Sequence, residues 1–267
     1  SLIKGILESG ANVCEIGLVP TPLLYYSCIA NKSKGGIMVT GSHNPKDYNG
    51  FKFVLKNLPF YGSDLKEFAI KAKDISLKGL LGNRSKKCFI DNYLNKIFTN
   101  FSQKKRINIV WDSGNGAAGE VMDLLSKRID GKQKLLFKKI DGNFPNHHPD
   151  PSDPKNLLFC KDEILKSNYD LGIAFDGDGD RIGVVDDKGR DVPGDILLLV
   201  LSKNVIKSKS NAVIIGDVKC SQVLFDEIKR LGGKSIISQT GHSHVKVNMK
   251  NYNADLAGEM SGHIFFK

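Results

Sequence analysis

Short apolar runs alternate with stretches of helical spacing over most of the chain. Residues 107–111 read as a strand, 117–128 as a helix and 135–140 as a strand. A helix over 154–167 leads into the apolar run 171–175, and after a polar break a second run follows at 182–185. Further on, 196–206 reads as helix, 212–215 as strand, 221–231 as helix, 235–237 as strand and 242–252 as helix. Apolar runs at 36–39, 51–55, 254–257 and 264–266 add shorter strand candidates. This alternation predicts α/β units with mixed, mainly parallel sheets. The polar stretches 83–87 and 187–190 divide the chain into three blocks, 1–88, 89–190 and 191–267. Segment 141–154, rich in Pro, Asp, His and Asn, reads as a loop. Its adjacent His147 and His148 point apart, which favours a loop role over a metal site.

Composition narrows the class without naming a chemistry. A length of 267 residues suits two domains, or three small ones. No segment approaches the 18 or so apolar residues of a membrane span, and no signal-peptide pattern opens the chain. The five cysteines, Cys14, Cys28, Cys88, Cys160 and Cys220, are scattered and never in CxxC spacing, so reduced thiols in a cytoplasmic protein are expected. The net charge of +10 comes mostly from lysines spread along the chain. No basic stretch interleaves aromatics, which argues against nucleic acid. A solvated lysine-rich surface explains the charge first, an anionic phosphorylated metabolite second.

The chemistry concentrates in three polar breaks between apolar runs. Asp176, Asp178 and Asp180 alternate with Gly177 and Gly179 and end at Arg181. Three carboxylates so close repel unless a cation sits among them, and glycines let all three turn to one point. Oxygen-only ligands suit a hard ion such as magnesium. An EF-hand is excluded: Arg181 stands at the sixth position, Asp187 at the twelfth, and strands flank the loop. The second break runs from Thr40 through Gly41, Ser42, His43 and Asn44 to Pro45, a small polar turn able to display a nucleophile. It has no GxSxG elbow, and Ser42 and His43 are neighbours, so a Ser-His hydrolase does not fit. The third holds Glu259, Ser261 and His263 between Gly258 and Gly262, a set of polar groups suited to sugar hydroxyls, or simply a tight turn. Gly114, Gly116 and Gly119 also form a literal GxGxxG after a strand, with Asp141 downstream, so a dinucleotide site stands as a rival on pattern alone.

Taken in order, the stretches TGSHNPKDYNGFK, DSGNGAAG, DGNFPNHHPDP, LGIAFDGDGDR, DVKCS, TGHS and AGEMSGHIFFK resemble the α-D-phosphohexomutase superfamily. The bacterial phosphomannomutase/phosphoglucomutase group is the nearest match. The likeness runs from about Gly17 to the last residue, and it explains the GxGxxG as the first turn of the family's second domain. It implies consecutive α/β domains, three of them present, the first incomplete and the fourth absent. It also implies a cytoplasmic isomerase that interconverts hexose 1-phosphate and hexose 6-phosphate through phospho-Ser42 and a hexose 1,6-bisphosphate. Phosphoglucosamine mutase and a non-catalytic metal- or phosphosugar-binding piece are the alternatives.

The resemblance assigns residues as follows. Magnesium is implied at Ser42, Asp176, Asp178 and Asp180, with Arg181 and Lys52 supplying positive charge. Glu259 and Ser261 match positions that grip ring hydroxyls, and His43, Lys219, His242 and His263 match positions near substrate. His263 and Lys52 are the candidate acid/base pair. The implied partner is a small phosphosugar, with no nucleic acid or membrane; the oligomeric state is left open, with a monomer favoured. Gly41 departs from the alanine usual before the serine, while Gly216 and Ser238 stand where bulkier residues are common. The missing first strand, the missing last domain and the absent starting methionine point to a fragment.

Overall fold

The computed structural model describes residues 2–56, 58–73, 79–99 and 101–267. Its contacts group the chain into two compact units, residues 1–38 with 52–101, and 39–51 with 102–267.

The first unit opens with α1 (Leu2–Glu8), β1 (Val13–Glu15), α2 (Thr21–Ala30) and β2 (Gly35–Val39). It continues with β3 (Phe51–Leu55), β4 (Leu58–Phe60), α3 (Gly62–Ala72), β5 (Arg84–Lys86) and α4 (Ile90–Phe98). Strands β2, β3 and β4 form one sheet in that order, and β1 pairs in parallel with β5. Pro22 lies in the first turn of α2, where a missing N–H leaves no hydrogen bond unmade. Leu23, Leu24 and Cys28 of α2 are buried, as are Ile90 and Leu94 of α4. Tyr26 and Tyr93 join the two helices with ring centroids 5.4 Å apart.

The second unit holds two layered sheets. The first has the order β10-β9-β8-β6-β7, built from β6 (Ile109–Asp112), β7 (Gln133–Leu136), β8 (Leu171–Phe175), β9 (Ile182–Asp186) and β10 (Asp191–Val192). Strand β6 lies parallel to both β7 and β8, while β8 and β9 form an antiparallel hairpin. Every residue of β6 is buried, as a central strand covered on both faces requires. Side chains alternate: Ile109 and Trp111 pack with Met122 of α5 (Gly119–Ser126). On the other face Val110, Ala174 and Val185 pack with Cys160 and Ile164 of α6 (Leu158–Ser167), which follows a 3-10 turn at Pro154–Leu157.

The second sheet has the order β12-β11-β13-β14, from β11 (Val213–Asp217), β12 (Lys234–Ser238), β13 (Leu256–Gly258) and β14 (Ile264–Phe266). Its strands are parallel except for β14. Ile214 and Leu256 bury against α7 (Gly194–Ser208) and α8 (Gln222–Arg230), and Ile215 and Ala257 against α9 (His242–Asn251). The parallel strands bring their C-terminal ends, Asp112 and Phe175 in one sheet, Asp217 and Gly258 in the other, to the edge where α/β folds bind ligands.

One expected element is shorter than its apolar pattern. The strand expected over 135–140 ends at Leu136, because Phe137 turns to φ +50°. That turn aims the Phe137 carbonyl at Ser113 Oγ (2.9 Å) and the Asn115 N–H (3.0 Å), so tertiary hydrogen bonds override the strand tendency.

Candidate functional site

The β8–β9 hairpin carries the acidic loop at its tip, as its apolar flanks predict. Gly179, at φ +69°, provides the left-handed bend that an L-residue resists. Asp176 is fully buried, and its Oδ1 accepts the N–H groups of Asp180 (2.9 Å) and Arg181 (3.1 Å), which fixes the loop on its first carboxylate. Carboxylate oxygens of Asp176, Asp178 and Asp180 all lie within 4.8 Å of one another.

Ser42 meets this loop directly. Its Oγ lies 3.0 Å from Asp176 Oδ2 and 3.1 Å from Asp178 Oδ1. The residue itself sits at φ +52°, an uncommon conformation for a non-glycine residue, with its N–H donating to Thr40 Oγ1 at 2.8 Å. A backbone held at such an angle costs about 1–3 kcal/mol and persists only where surroundings enforce it. The Ser42 backbone packs directly on Gly177, where a β-carbon would run into the Ser42 carbonyl oxygen.

The donor set fits a hard divalent cation. At 4.8 Å and an effective dielectric of about 20, two ionised carboxylates repel by roughly 3 kcal/mol. Left uncompensated, three such pairs would approach the stability of a whole domain, so a cation among the three carboxylates is favoured. An octahedral shell with bonds of about 2.1 Å spaces neighbouring oxygens about 3.0 Å apart. The separations from Ser42 Oγ to Asp176 and Asp178 match that spacing. Asp176, Asp178, Asp180 and Ser42 are therefore the residues able to hold such an ion.

Charge extends from the third aspartate to the third polar loop. His263 Nε2 lies 3.1 Å from Asp180 Oδ1, while Nδ1 lies 2.8 Å from Glu259 Oε2 and 3.2 Å from Ser261 Oγ. Burial pulls the His263 pKa down, but its hydrogen bonds to the two carboxylates outweigh this and raise it. Burial likewise pushes Glu259 up, but its contact with His263 and the hydrogen bond it accepts from the Gly241 N–H bring it below the usual range. Asp217, fully buried at the end of β11, accepts from Thr240 Oγ1 (2.9 Å), Cys220 Sγ (3.1 Å) and the Met260 N–H (3.3 Å). One carboxylate thus ties three loops together. The sequence reading missed it, although its place at a strand end before a polar run was the available signal.

The remaining predicted residues are placed as follows. His242 starts α9, its ring centroid 5.6 Å from that of His263. Lys219 lies exposed in the turn after β11, and Lys52 lies on β3 in the first unit. His43 Nδ1 is 3.3 Å from Ser42 Oγ. Burial first, then the charge of Arg181, lowers the His43 pKa. The Arg181 guanidinium lies 3.9 Å from Asp150, and its buried Nε has no hydrogen-bond partner among the described residues.

Three family models for phosphoglucomutase/phosphomannomutase match the chain: alpha/beta/alpha domain I over residues 1–75, domain II over 87–189 and domain III over 193–267. The chain belongs to the phosphoglucomutase/phosphomannomutase family. It is 43% identical over 266 residues to a phosphomannomutase/phosphoglucomutase of Pseudomonas putida, covering 100% of this chain and 58% of that protein. It is 40% identical to a phosphoglucomutase of Neisseria gonorrhoeae, covering 99% and 58%. Among solved structures, a phosphoglucomutase/phosphomannomutase family protein from Burkholderia thailandensis superposes with a TM-score of 0.94 at 38% identity, covering 100% of this chain and 60% of that one. The chain therefore spans somewhat under two thirds of the length of these relatives. Family membership removes the dinucleotide reading of the GxGxxG turn, since domain II accounts for that segment. No helix among the described residues is long and apolar enough to cross a membrane.

Proposed function

We propose that this chain carries the phosphoserine, metal and sugar loops of a phosphohexomutase acting on glucose and mannose phosphates. The observation that carries this reading is the seat of Ser42, whose hydroxyl rests on two of three clustered carboxylates at an uncommon backbone angle. Magnesium at Ser42, Asp176, Asp178 and Asp180 would supply Lewis-acid stabilisation of the serine oxygen as phosphate leaves.

The chain's own residues account for alignment and charge. In the forward half-reaction the bond from phosphorus to Ser42 oxygen breaks and a bond to the free hydroxyl of a hexose phosphate forms, giving the 1,6-bisphosphate. After the sugar reverses, its other phosphate returns to Ser42. Phosphoryl transfer asks mainly for positioning and positive charge. Phosphoserine carries about −1.5 to −2 charges near neutral pH, and the uncommitted Arg181 Nε offers a donor towards it. Glu259 and Ser261 hold ring hydroxyls, with His43, His242 and Lys219 as further substrate contacts.

Both nitrogens of His263 face Asp180, Glu259 and Ser261, so the ring is occupied as a bridge between the metal loop and the sugar loop. We assign it to positioning instead of acid/base work. Lys52 stays the proton-transfer candidate by family resemblance.

Intact mass and site mapping of the full-length protein test the proposal, with a phosphoryl group expected on Ser42. A coupled assay on glucose 1-phosphate and mannose 1-phosphate, with bisphosphate present, should show turnover of both sugars. No turnover of either, with Ser42 unmodified, refutes it.

A further inference from the structure

Segment 141–154 has little regular structure, yet a buried ion pair anchors it. Asp112, the last residue of β6, is fully buried, and His147 Nε2 lies 3.2 and 3.1 Å from its two carboxylate oxygens. The opposite ring nitrogen, Nδ1, lies 2.9 Å from the His148 carbonyl oxygen. A carbonyl only accepts, and so does an ionised carboxylate, so both ring nitrogens carry hydrogens. The ring packs against Phe137 and Phe159, with centroids 5.4 and 6.2 Å away, and those two rings lie 5.1 Å from each other. Burial pulls the His147 pKa down, but the hydrogen bond and charge of Asp112 more than reverse this and leave it raised. Asp112 faces the ring from β6. Cys160 of α6 feels the charge of Asp112, and burial holds its thiol protonated, pushed up to about 12.

The pair reaches the acidic loop through two backbone grips. Two residues after His147, the Pro149 carbonyl accepts the Gly177 N–H at 3.1 Å. On the other side, Asp112 Oδ1 accepts the Gly114 N–H at 2.8 Å, fixing the turn whose Ala117 N–H donates to the Gly177 carbonyl at 2.9 Å. Gly177 separates Asp176 from Asp178. Both of its backbone groups are thus held by segments fastened to one ion pair.

We infer that His147, as an imidazolium paired with Asp112, is a positioning residue for the metal loop: it clamps the two segments that grip Gly177 and so sets the spacing of Asp176 and Asp178. The inference rests on the reading of Asp176, Asp178 and Asp180 as metal ligands. It assigns a role to a histidine whose sequence suggested only a loop. Groups that hydrogen-bond a metal ligand directly are worth about 10–100-fold in metal affinity; His147 acts one step further out, through the segments that hold Gly177, so the low end of that range is expected.

Two measurements on the 267-residue chain test it. Nitrogen-15 NMR of the His147 ring should show a mainly cationic imidazole with two N–H groups at pH 6.5, where a free ring is half neutral. A mainly neutral ring there overturns the inference, whether or not any variant folds. Calorimetric titration with magnesium chloride then compares wild type, His147→Gln and Asp178→Asn, with circular dichroism to confirm folding. The expected result is affinity weakened about 10-fold in His147→Gln and abolished in Asp178→Asn. Wild-type affinity should also fall as pH rises through the His147 pKa, a step that His147→Gln lacks. Unchanged affinity in His147→Gln beside loss in Asp178→Asn overturns the clamp and keeps the metal loop. Unchanged affinity in both variants removes the metal-loop reading itself.

Discussion

Replacing Gly177 with alanine tests the seat of Ser42 with a single carbon. Gly177 is not at positive φ, so alanine meets no backbone penalty there and acts through contact alone. Its β-carbon would run into the Ser42 carbonyl oxygen, with the carbonyl carbon at 3.2 Å and Pro149 Cγ at 3.4 Å. The nearest two atoms are backbone and have no rotamer to escape into. Restoring van der Waals separation moves the Ser42 peptide by roughly 1 Å. That shift carries Ser42 Oγ away from carboxylates now 3.0 and 3.1 Å distant. Overpacking of this kind costs about 1–3 kcal/mol, or about 2–4 °C in melting temperature per kcal/mol for a unit of this size. A displacement of about 1 Å at a reacting atom costs on the order of 100-fold in rate. Thermal melts measure the first effect, and the coupled assay for the proposed mutase activity measures the second. Wild-type turnover together with a wild-type melting point would show that Gly177 and Ser42 are not packed as described.

Two further outcomes follow from the packing. Asp255 accepts from the Val213 N–H (3.0 Å) and Lys209 Nζ (2.6 Å); burial pushes its pKa up, but these partners hold it below the ordinary 3.8. Its folded pKa being the lower one, its contribution is complete above pH 3.8 and fades as pH falls through the folded value. Asp255→Asn should therefore flatten the acid limb of stability measured by urea unfolding across that range, and an unaltered acid limb would refute this. Leu224→Ala, in the core shared by Ile214, Ile228 and Leu256, should cost about 2–5 kcal/mol in urea unfolding. A loss below about 1 kcal/mol would mean that this core collapses around the vacancy.

Much of the fold was legible because period and punctuation agreed. The runs 171–175 and 182–185 flank two glycines and three aspartates, and they form the hairpin that such a pattern demands. Helices expected over 196–206 and 221–231 appear as Gly194–Ser208 and Gln222–Arg230. Phe137 shows where the pattern fails: its apolar side chain suits a strand, but its carbonyl is claimed by Ser113 and Asn115 from the neighbouring turn. No local rule contains that competition.

The sequence by itself determined which residue types could do chemistry and in which loops. Alternating carboxylates and glycines suggested a cation here, since repulsion between close charges is a local property. Tertiary structure alone decided which loops meet. Ser42 and Asp176 are 134 residues apart and reach 3.0 Å because Gly177 admits the serine backbone. His147 reads as an ordinary loop residue, and nothing local ties it to Asp112, or Asp217 to Thr240, until burial forces each to find its partner. The physical reason is desolvation: a buried charge must be satisfied within reach, and the strands decide what is within reach.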